Sequence, residues 1–217
     1  MTFPSYTINQ IRKQFKHVKP QKNGMREILH ISFLADQPRI FGEPNSDYIK
    51  REIAWYDSMS LNINDMEGPI PSRWKTVADK HGNVNSNYGW CIYSKENGEQ
   101  FKNCLYRLEQ DLNTRCAVMI YTPPSMPTEA INDFMCMNCV QFICRHKELY
   151  CFVQMRLSDA ILGYPNDLAW HHTVQRRLVD ALNRRRNTDV KPGPIYWYAG
   201  SLRVYPQHAH FLTLFSA

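Results

Sequence analysis

Apolar positions along this chain follow two periods, and the changes between them predict a mixed fold. Residues 6–18 read as a short helix, and 27–35 as a strand in which Ile28, Ile31, Phe33 and Leu34 are apolar. Asn45 and Ser46 are cap-type residues opening a helix that runs to about Met59. Over 99–112, Phe101, Cys104, Leu105, Leu108 and Leu112 keep the three-four spacing of a buried helical stripe. A strand over 116–121 is stopped by Pro123-Pro124. Residues 138–144 and 149–156 predict a hairpin around the charged turn Arg145-His146-Lys147-Glu148. A long helix starts near Asn166-Asp167. Its inner stripe is Trp170, Val174, Leu178, Ala181 and Leu182, and its outer face Gln175, Arg176, Arg177, Asp180 and Asn183. The carboxyl end returns to strand over 195–199 and again over 202–205. Helices and strands mix without strict alternation, which predicts an α+β fold rather than a doubly wound sheet. With no internal repeat and no Ser/Gly-rich linker, 1–217 is read as a single domain.

Composition narrows the class. A chain of 217 residues, 43% hydrophobic and 21% charged, can bury a real core, which excludes a disordered chain. No stretch approaches the roughly 18 apolar residues of a membrane helix, and the polar, basic amino end has no apolar core of a signal sequence. Seven cysteines, an odd number, suit a reduced compartment, so a soluble cytoplasmic protein is expected. The formal charge of +6 favours anionic partners without choosing among them. The basic runs Arg12 to Lys22 and Arg184-Arg185-Arg186 read as solvated faces.

Three features break their local pattern. Glu52 shares a helix face with Ile49, Ile53 and Tyr56, and a carboxylate there is costly unless paired or used. A neighbouring arginine, the backbone or a functional role would each account for it. Cys136-Met-Asn-Cys139, with Cys144, His146 and Cys151 beyond, raises a zinc site, a redox pair or a single nucleophile. On a strand Cys136 and Cys139 would point apart, which disfavours the first two, and Cys144 and Cys151 read as core residues flanking the hairpin turn. No metal is expected. A nucleophilic Cys136 needs a nearby cation to lower its pKa, and Arg156 is a candidate. Asp167 reads from composition as a helix N-cap.

These segments together resemble the thymidylate synthase superfamily, and within it the phage deoxycytidylate hydroxymethylases. The resemblance rests on Asp133-Phe-Met-Cys136-Met-Asn-Cys-Val-Gln141-Phe, Met155-Arg156-Leu-Ser-Asp159 and Gly163-Tyr-Pro-Asn-Asp167. Arg51-Glu52-Ile-Ala-Trp55-Tyr56, Asn85-Ser-Asn-Tyr88-Gly89-Trp90, Met119-Ile-Tyr-Thr and Gly200-Ser-Leu-Arg-Val-Tyr205 agree, in unbroken order from Phe33 to His208. It implies a mixed sheet packed with helices, and a homodimer joined sheet to sheet. It also implies a one-carbon transfer from 5,10-methylenetetrahydrofolate to C5 of a pyrimidine nucleotide. Cys136 would add to C6 of the base, Glu52 would organise water and move protons, and Asp159 would bond the folate pterin, with Trp74 on the folate side. Tyr88, Gln141, Arg156, Arg203 and Tyr205 would lie on the nucleotide side. Arg115 would reach the phosphate of the other subunit.

By the same resemblance, Asp167 selects the base. Family members that act on uracil carry Asn there, whereas a carboxyl group can accept from N4–H of cytosine and hold the proton N3 gains. An unpaired group in a buried site costs ~1–3 kcal/mol, enough to set base choice. Water then gives a hydroxymethyl product; a hydride would give a methyl group. Departures surround the phosphate: a usual arginine pair reads Arg115-Cys116, a usual serine is Leu157, and a usual histidine is Arg203. Arg39, Arg156 and Arg203 are the candidate phosphate ligands. A ribonucleotide, CMP, is the alternative substrate, methylation of dCMP the alternative outcome, and a non-catalytic nucleic-acid-binding derivative a lower-ranked reading. The chain ends at Ala217 without the long tail that closes over folate in thymidylate synthases, which disfavours hydride transfer. The setting implied is a phage in a host cytoplasm, replacing cytosine in its DNA by 5-hydroxymethylcytosine.

Overall fold

The computed structural model describes residues 5–123 and 132–214. The first four residues of the polar amino end, Pro124 of the expected strand stop and the terminal Ala217 lie outside them. Helix α1, Ile8–His17, opens on a capping box in which Thr7 Oγ1 accepts from the Gln10 backbone N–H and Gln10 Oε1 accepts from the Thr7 backbone N–H. Strand β1, Arg26–Leu34, is followed by α2, Ser46–Ser58. Asn45 caps α2 by accepting from the Tyr48 N–H at 3.0 Å, and Met59 ends it in the left-handed region at φ 58°. Two six-residue helices come next, α3, Ser72–Val77, and α4, Tyr88–Tyr93, neither of which the apolar periodicity reveals. Then follow α5, Gln100–Gln110, β2, Ala117–Ile120, and the hairpin β3, Met137–Arg145, with β4, Glu148–Met155. The hairpin turns on His146 and Lys147, both at positive φ (52° and 63°), the backbone a two-residue turn requires. A two-residue β5, Ser158–Asp159, leads to α6, Gly163–Arg186, β6, Lys191–Val204, and a last turn α7, Phe211–Leu214.

The sheet runs β1-β6-β4-β3-β2, with β5 beside β6, as an α+β mixed sheet. β6 lies parallel to β4 and β5, and the other pairs are antiparallel. Leu149, Cys151, Val153 and Met155 of β4 alternate into the core with Ile195, Trp197 and Ala199 of β6, on the face that α6 covers with Trp170, Val174, Leu178 and Leu182. The opposite face carries Gln141, Phe152, Tyr196 and Tyr198. There the Phe152 and Tyr196 rings stack with centroids 5.4 Å apart.

Three expectations are corrected. α6 begins at Gly163, not near Asn166-Asp167, because Pro165 in the first turn lacks only an N–H that no carbonyl faces. Asp167 therefore lies inside the helix and caps nothing. Gln175 is fully buried rather than outward: its amide donates to the carbonyls of Leu149 (2.7 Å) and Gly193 (2.9 Å), where β4 and β6 slip register and Pro192 and Pro194 offer no N–H. The two carboxyl-terminal strands are one, β6, continuous through Gly200, where a Cβ would sit 2.9 Å from the Arg156 carbonyl oxygen.

Irregularities line up across the sheet and place the chemistry. β3 slips register between Met137 and Cys139, the β4 strand ends before Arg156, and His30 of β1 takes φ 53° opposite Gly200. Pairing persists at the kink: the Arg156 N–H donates to the Cys136 carbonyl at 2.9 Å, and the Ser201 N–H to the Arg156 carbonyl at 3.1 Å. The kink lifts Cys136 and Arg156 out of the flat ladder.

Candidate active site

Cys136 lies one residue before β3. Arg156 Nη2 is 3.8 Å from its Sγ, while Arg156 Nε and Nη2 donate to the carbonyls of Met135 (2.7 Å) and Phe134 (2.8 Å). The guanidinium also sits over the Phe134 ring, 5.1 Å from its centroid. Arg156 is thus held by backbone and by an aromatic face, and its Nη1 makes no hydrogen bond among the described residues. Burial pushes the Cys136 thiol up to about 11, and Asp167 and Asp133 add to this, while Arg156 and Arg73 pull it down. Cys139 points to the opposite face of β3, paired across from Gln154, so the C-x-x-C cannot act as a unit. Cys144 and Cys151 are buried in the core. Among the described residues no group of three or more His, Cys, Asp and Glu is arranged to hold a metal ion.

Glu52, 6% exposed on α2, has neither an arginine nor a backbone partner for its carboxylate among the described residues. The Tyr48 phenol donates to its Oε1 from one turn earlier, and the Trp74 indole N–H approaches the same oxygen at 3.3 Å. Burial raises its pKa to about 7 against those two hydrogen bonds. α3 supplies Trp74, whose ring packs edge-on against Trp55 at 5.1 Å.

Asp167, half-buried in the first two turns of α6, accepts a hydrogen bond from the Tyr88 phenol. Burial, the Glu52 carboxylate and Asp159 hold its pKa well above the ordinary carboxylate value. Tyr88 opens α4 and stacks on Tyr56 with centroids 5.0 Å apart. α4 approaches α2 so closely that a Cβ on Gly89 would lie 1.8 Å from the Tyr56 carbonyl oxygen, which only glycine allows. Asp159, on β5, accepts from the Ile161 N–H at 2.9 Å, and burial raises its pKa as well.

Cys136, Glu52, Asp167, Tyr88, Trp74, Arg156 and Asp159 therefore converge from five elements, the segment before β3 and the residue after β4. Tyr205 follows β6 two residues beyond the Asp159–Arg203 pairing, and its hydroxyl makes no hydrogen bond among the described residues. Four residues expected at the site lie outside this group. Gln141 is on the outer sheet face, its amide donating to the Arg115 carbonyl at 2.8 Å, and Arg115 is exposed. Arg203 also faces outward, tied to Glu27 at 2.8 Å, and Arg39 pairs with Glu43. Sequence reasoning missed Tyr48, which is four residues before Glu52 and so legible as a same-face neighbour. It also missed Arg73, an exposed guanidinium whose charge acts on Cys136, Asp133 and Asp159. No spacing pattern marked that residue.

The thymidylate synthase family model matches residues 45–214, and the chain belongs to that family. It is 40% identical to the deoxycytidylate 5-hydroxymethyltransferases of Enterobacteria phages T4 and T2, over 98% of this chain and 92% of theirs. It is 27% identical to a thymidylate synthase of Francisella tularensis subsp. holarctica, over 74% of this chain and 61% of that protein.

Proposed function

We propose that this chain transfers a one-carbon unit from 5,10-methylenetetrahydrofolate to C5 of dCMP with addition of water, giving 5-hydroxymethyl-dCMP and tetrahydrofolate. The observation that carries the reading is Asp167: a carboxyl group of raised pKa, bonded to Tyr88, in the same cleft as Cys136 and Glu52. A protonated carboxyl can give its proton to N3 of cytosine while its other oxygen accepts from N4–H, the complement of cytosine and not of uracil.

The residues divide the work as follows. The Cys136 thiol gives its proton to water held by Glu52 as its sulfur bonds to C6 of the base and N3 takes the Asp167 proton, and C5 becomes nucleophilic. The folate supplies the methylene carbon that C5 attacks and departs as tetrahydrofolate. The C5 proton leaves through water held by Glu52. Glu52, with a pKa near 7, then takes a proton from the water whose oxygen joins the exocyclic methylene carbon. The sulfur leaves C6 and takes the proton that Glu52 holds, the base regains its aromatic form, and Asp167 recovers its proton from N3. The Trp74 ring and the half-buried Asp159 fit a folate: one offers a flat aromatic wall and the other an acceptor for pterin N–H groups.

The phosphate falls to Arg156, whose Nη1 is uncommitted among the described residues. Arg115 of a second copy joins it if the outer sheet faces pack together as a homodimer. The aromatic character of that face, with Phe152, Tyr196 and Tyr198, supports such packing, as does the Gln141 bond that fixes the Arg115 backbone there.

The test is a product assay by mass spectrometry with dCMP, CMP and dUMP in parallel, each with methylenetetrahydrofolate. A gain of CH₂O on dCMP is expected. A gain of CH₂ would make the protein a methylase, and a gain chiefly on CMP would reassign the sugar.

A further inference from the structure

Asp133 is 7% exposed, and no cation among the described residues is hydrogen-bonded to it. A carboxylate so buried is costly unless its oxygens are satisfied, and its hydrogen bonds go to one loop. Its Oδ2 accepts from the backbone N–H groups of Asn85 (2.9 Å) and Ser86 (2.7 Å), and its Oδ1 accepts from the Ser86 hydroxyl at 2.8 Å. Its carbonyl accepts from the Asn85 amide at 2.8 Å. The loop is fixed from the other side by Asn87, whose amide donates to the carbonyls of Trp55 (2.9 Å) and Ser60 (2.8 Å) and whose Oδ1 caps α4 through the Trp90 N–H.

The two loop segments of this clasp lead to the chemistry. Three residues after Asp133 comes Cys136, and two residues after Ser86 comes Tyr88, whose phenol meets Asp167. We propose that Asp133 is a positioning residue for the one-carbon transfer, setting the distance between the nucleophile Cys136 and the base-reading pair Tyr88–Asp167. The proposal rests on the hydroxymethyl-transfer reading. A nucleophile displaced by about 1 Å can lose roughly a hundredfold in rate while the nucleotide still binds, since binding and attack depend on different atoms. Asp133 also adds to the burial that disfavours the Cys136 thiolate, so its charge leaves a signature that a mere packing role would not.

The experiment uses the full chain with Asp133→Ala, Asp133→Asn and Ser86→Ala. It reads kcat and KM with dCMP, circular dichroism, and the rate of Cys136 alkylation by iodoacetamide across pH. Asp133→Ala is expected to lose tenfold or more in kcat with KM for dCMP within about threefold. Asp133→Asn should recover most of that loss, because its amide oxygen still accepts both N–H groups and its amide donates to the Ser86 hydroxyl. It should also move the alkylation profile to lower pH, with Arg156, Arg73, Asp167 and Tyr88 still facing the thiol. A kcat within twofold of the parent for Asp133→Ala, or an unmoved alkylation profile for Asp133→Asn, overturns the proposal. Should Asp133→Ala not fold, Ser86→Ala carries the test: kcat falls severalfold at unchanged KM, and an unchanged kcat overturns it. If the parent makes no product from dCMP, the functional reading fails, while the alkylation shift still reads the clasp independently.

Discussion

The Tyr48 phenol donates to Glu52 Oε1 from one helical turn away, and the Trp74 indole N–H lies 2.8 Å from that phenol oxygen and 3.3 Å from the carboxylate. α2 provides the first pair by helical spacing, and α3 brings the indole across 22 residues of sequence. Among the described residues these two donors bond only one carboxylate oxygen, which leaves the other open to water.

Tyr48→Phe removes a donor to the ionised form of Glu52, so the Glu52 pKa should climb above about 7. A hydrogen bond to a charged group is worth ~1.5–3 kcal/mol, or about one to two pH units. If Glu52 acts ionised, as a base toward water, the acidic limb of the kcat–pH profile moves up by about that amount. An unmoved limb would mean that another group sets it.

Much of this arrangement was legible in the sequence, and the exceptions have physical causes. The Asn45 cap, the α5 stripe and the hairpin follow from local rules, and Glu52 stood out as a charge on an apolar face. α3 and α4 escaped because helices of six residues have too few turns to show a period. They are held instead by tertiary contacts, such as the Trp74 indole bonds and the approach of Gly89 to Tyr56. The start of α6 read three residues late, near Asn166-Asp167 instead of Gly163, because the pattern does not say where in the first turn a proline falls. Gln175 read as solvent-facing because nothing local records an unpaired carbonyl on a distant strand. Asp133 meets its partners across 47 and 48 residues, and such contacts leave no periodic trace.

Cys136→Ala should abolish turnover while dCMP binding persists. In the proposed reaction the sulfur forms the bond to C6, whereas Arg156, which lies beside that sulfur, and Asp167 would still hold phosphate and base. Isothermal titration with dCMP beside the product assay separates the two effects. Residual turnover above about one part in a hundred would rule out obligatory covalent addition.

Asp167→Asn exchanges an acid for an amide that donates to O4 and accepts from N3–H, the pattern of uracil. The ratio of kcat/KM for dCMP over dUMP should fall by about tenfold to a hundredfold, the size of one unpaired buried group. Tyr88 keeps a hydrogen-bond acceptor in the variant, so the fold should hold. An unchanged ratio would place base selection on other residues.

Glu52→Gln should abolish turnover and stabilise the protein, by an amount that depends on pH. The folded-state pKa of Glu52 is raised from 4.5 to about 7 by burial, so its carboxyl favours the fold fully below about 4.5, and that stability is lost as pH rises to about 7. The amide carries no such dependence and can still accept from Tyr48. The stability gap between variant and parent should therefore be near zero at pH 4. It should grow to on the order of 3 kcal/mol at pH 8, at about 1.4 kcal/mol for each pH unit between the unfolded and folded pKa. Removing the Glu52 charge also eases ionisation of Asp167, which widens the gap on the alkaline side. His171, buried with its pKa lowered to about 3, loses its own stabilisation as pH falls from about 6.5, but equally in both proteins, so it cancels from the difference. Urea unfolding of both proteins at pH 4, 6 and 8 measures it. A gap of the same size at all three would mean that burial does not raise the folded pKa of Glu52 above its unfolded value, and a base titrating near neutral pH that takes the water's proton would have to lie elsewhere in the cleft.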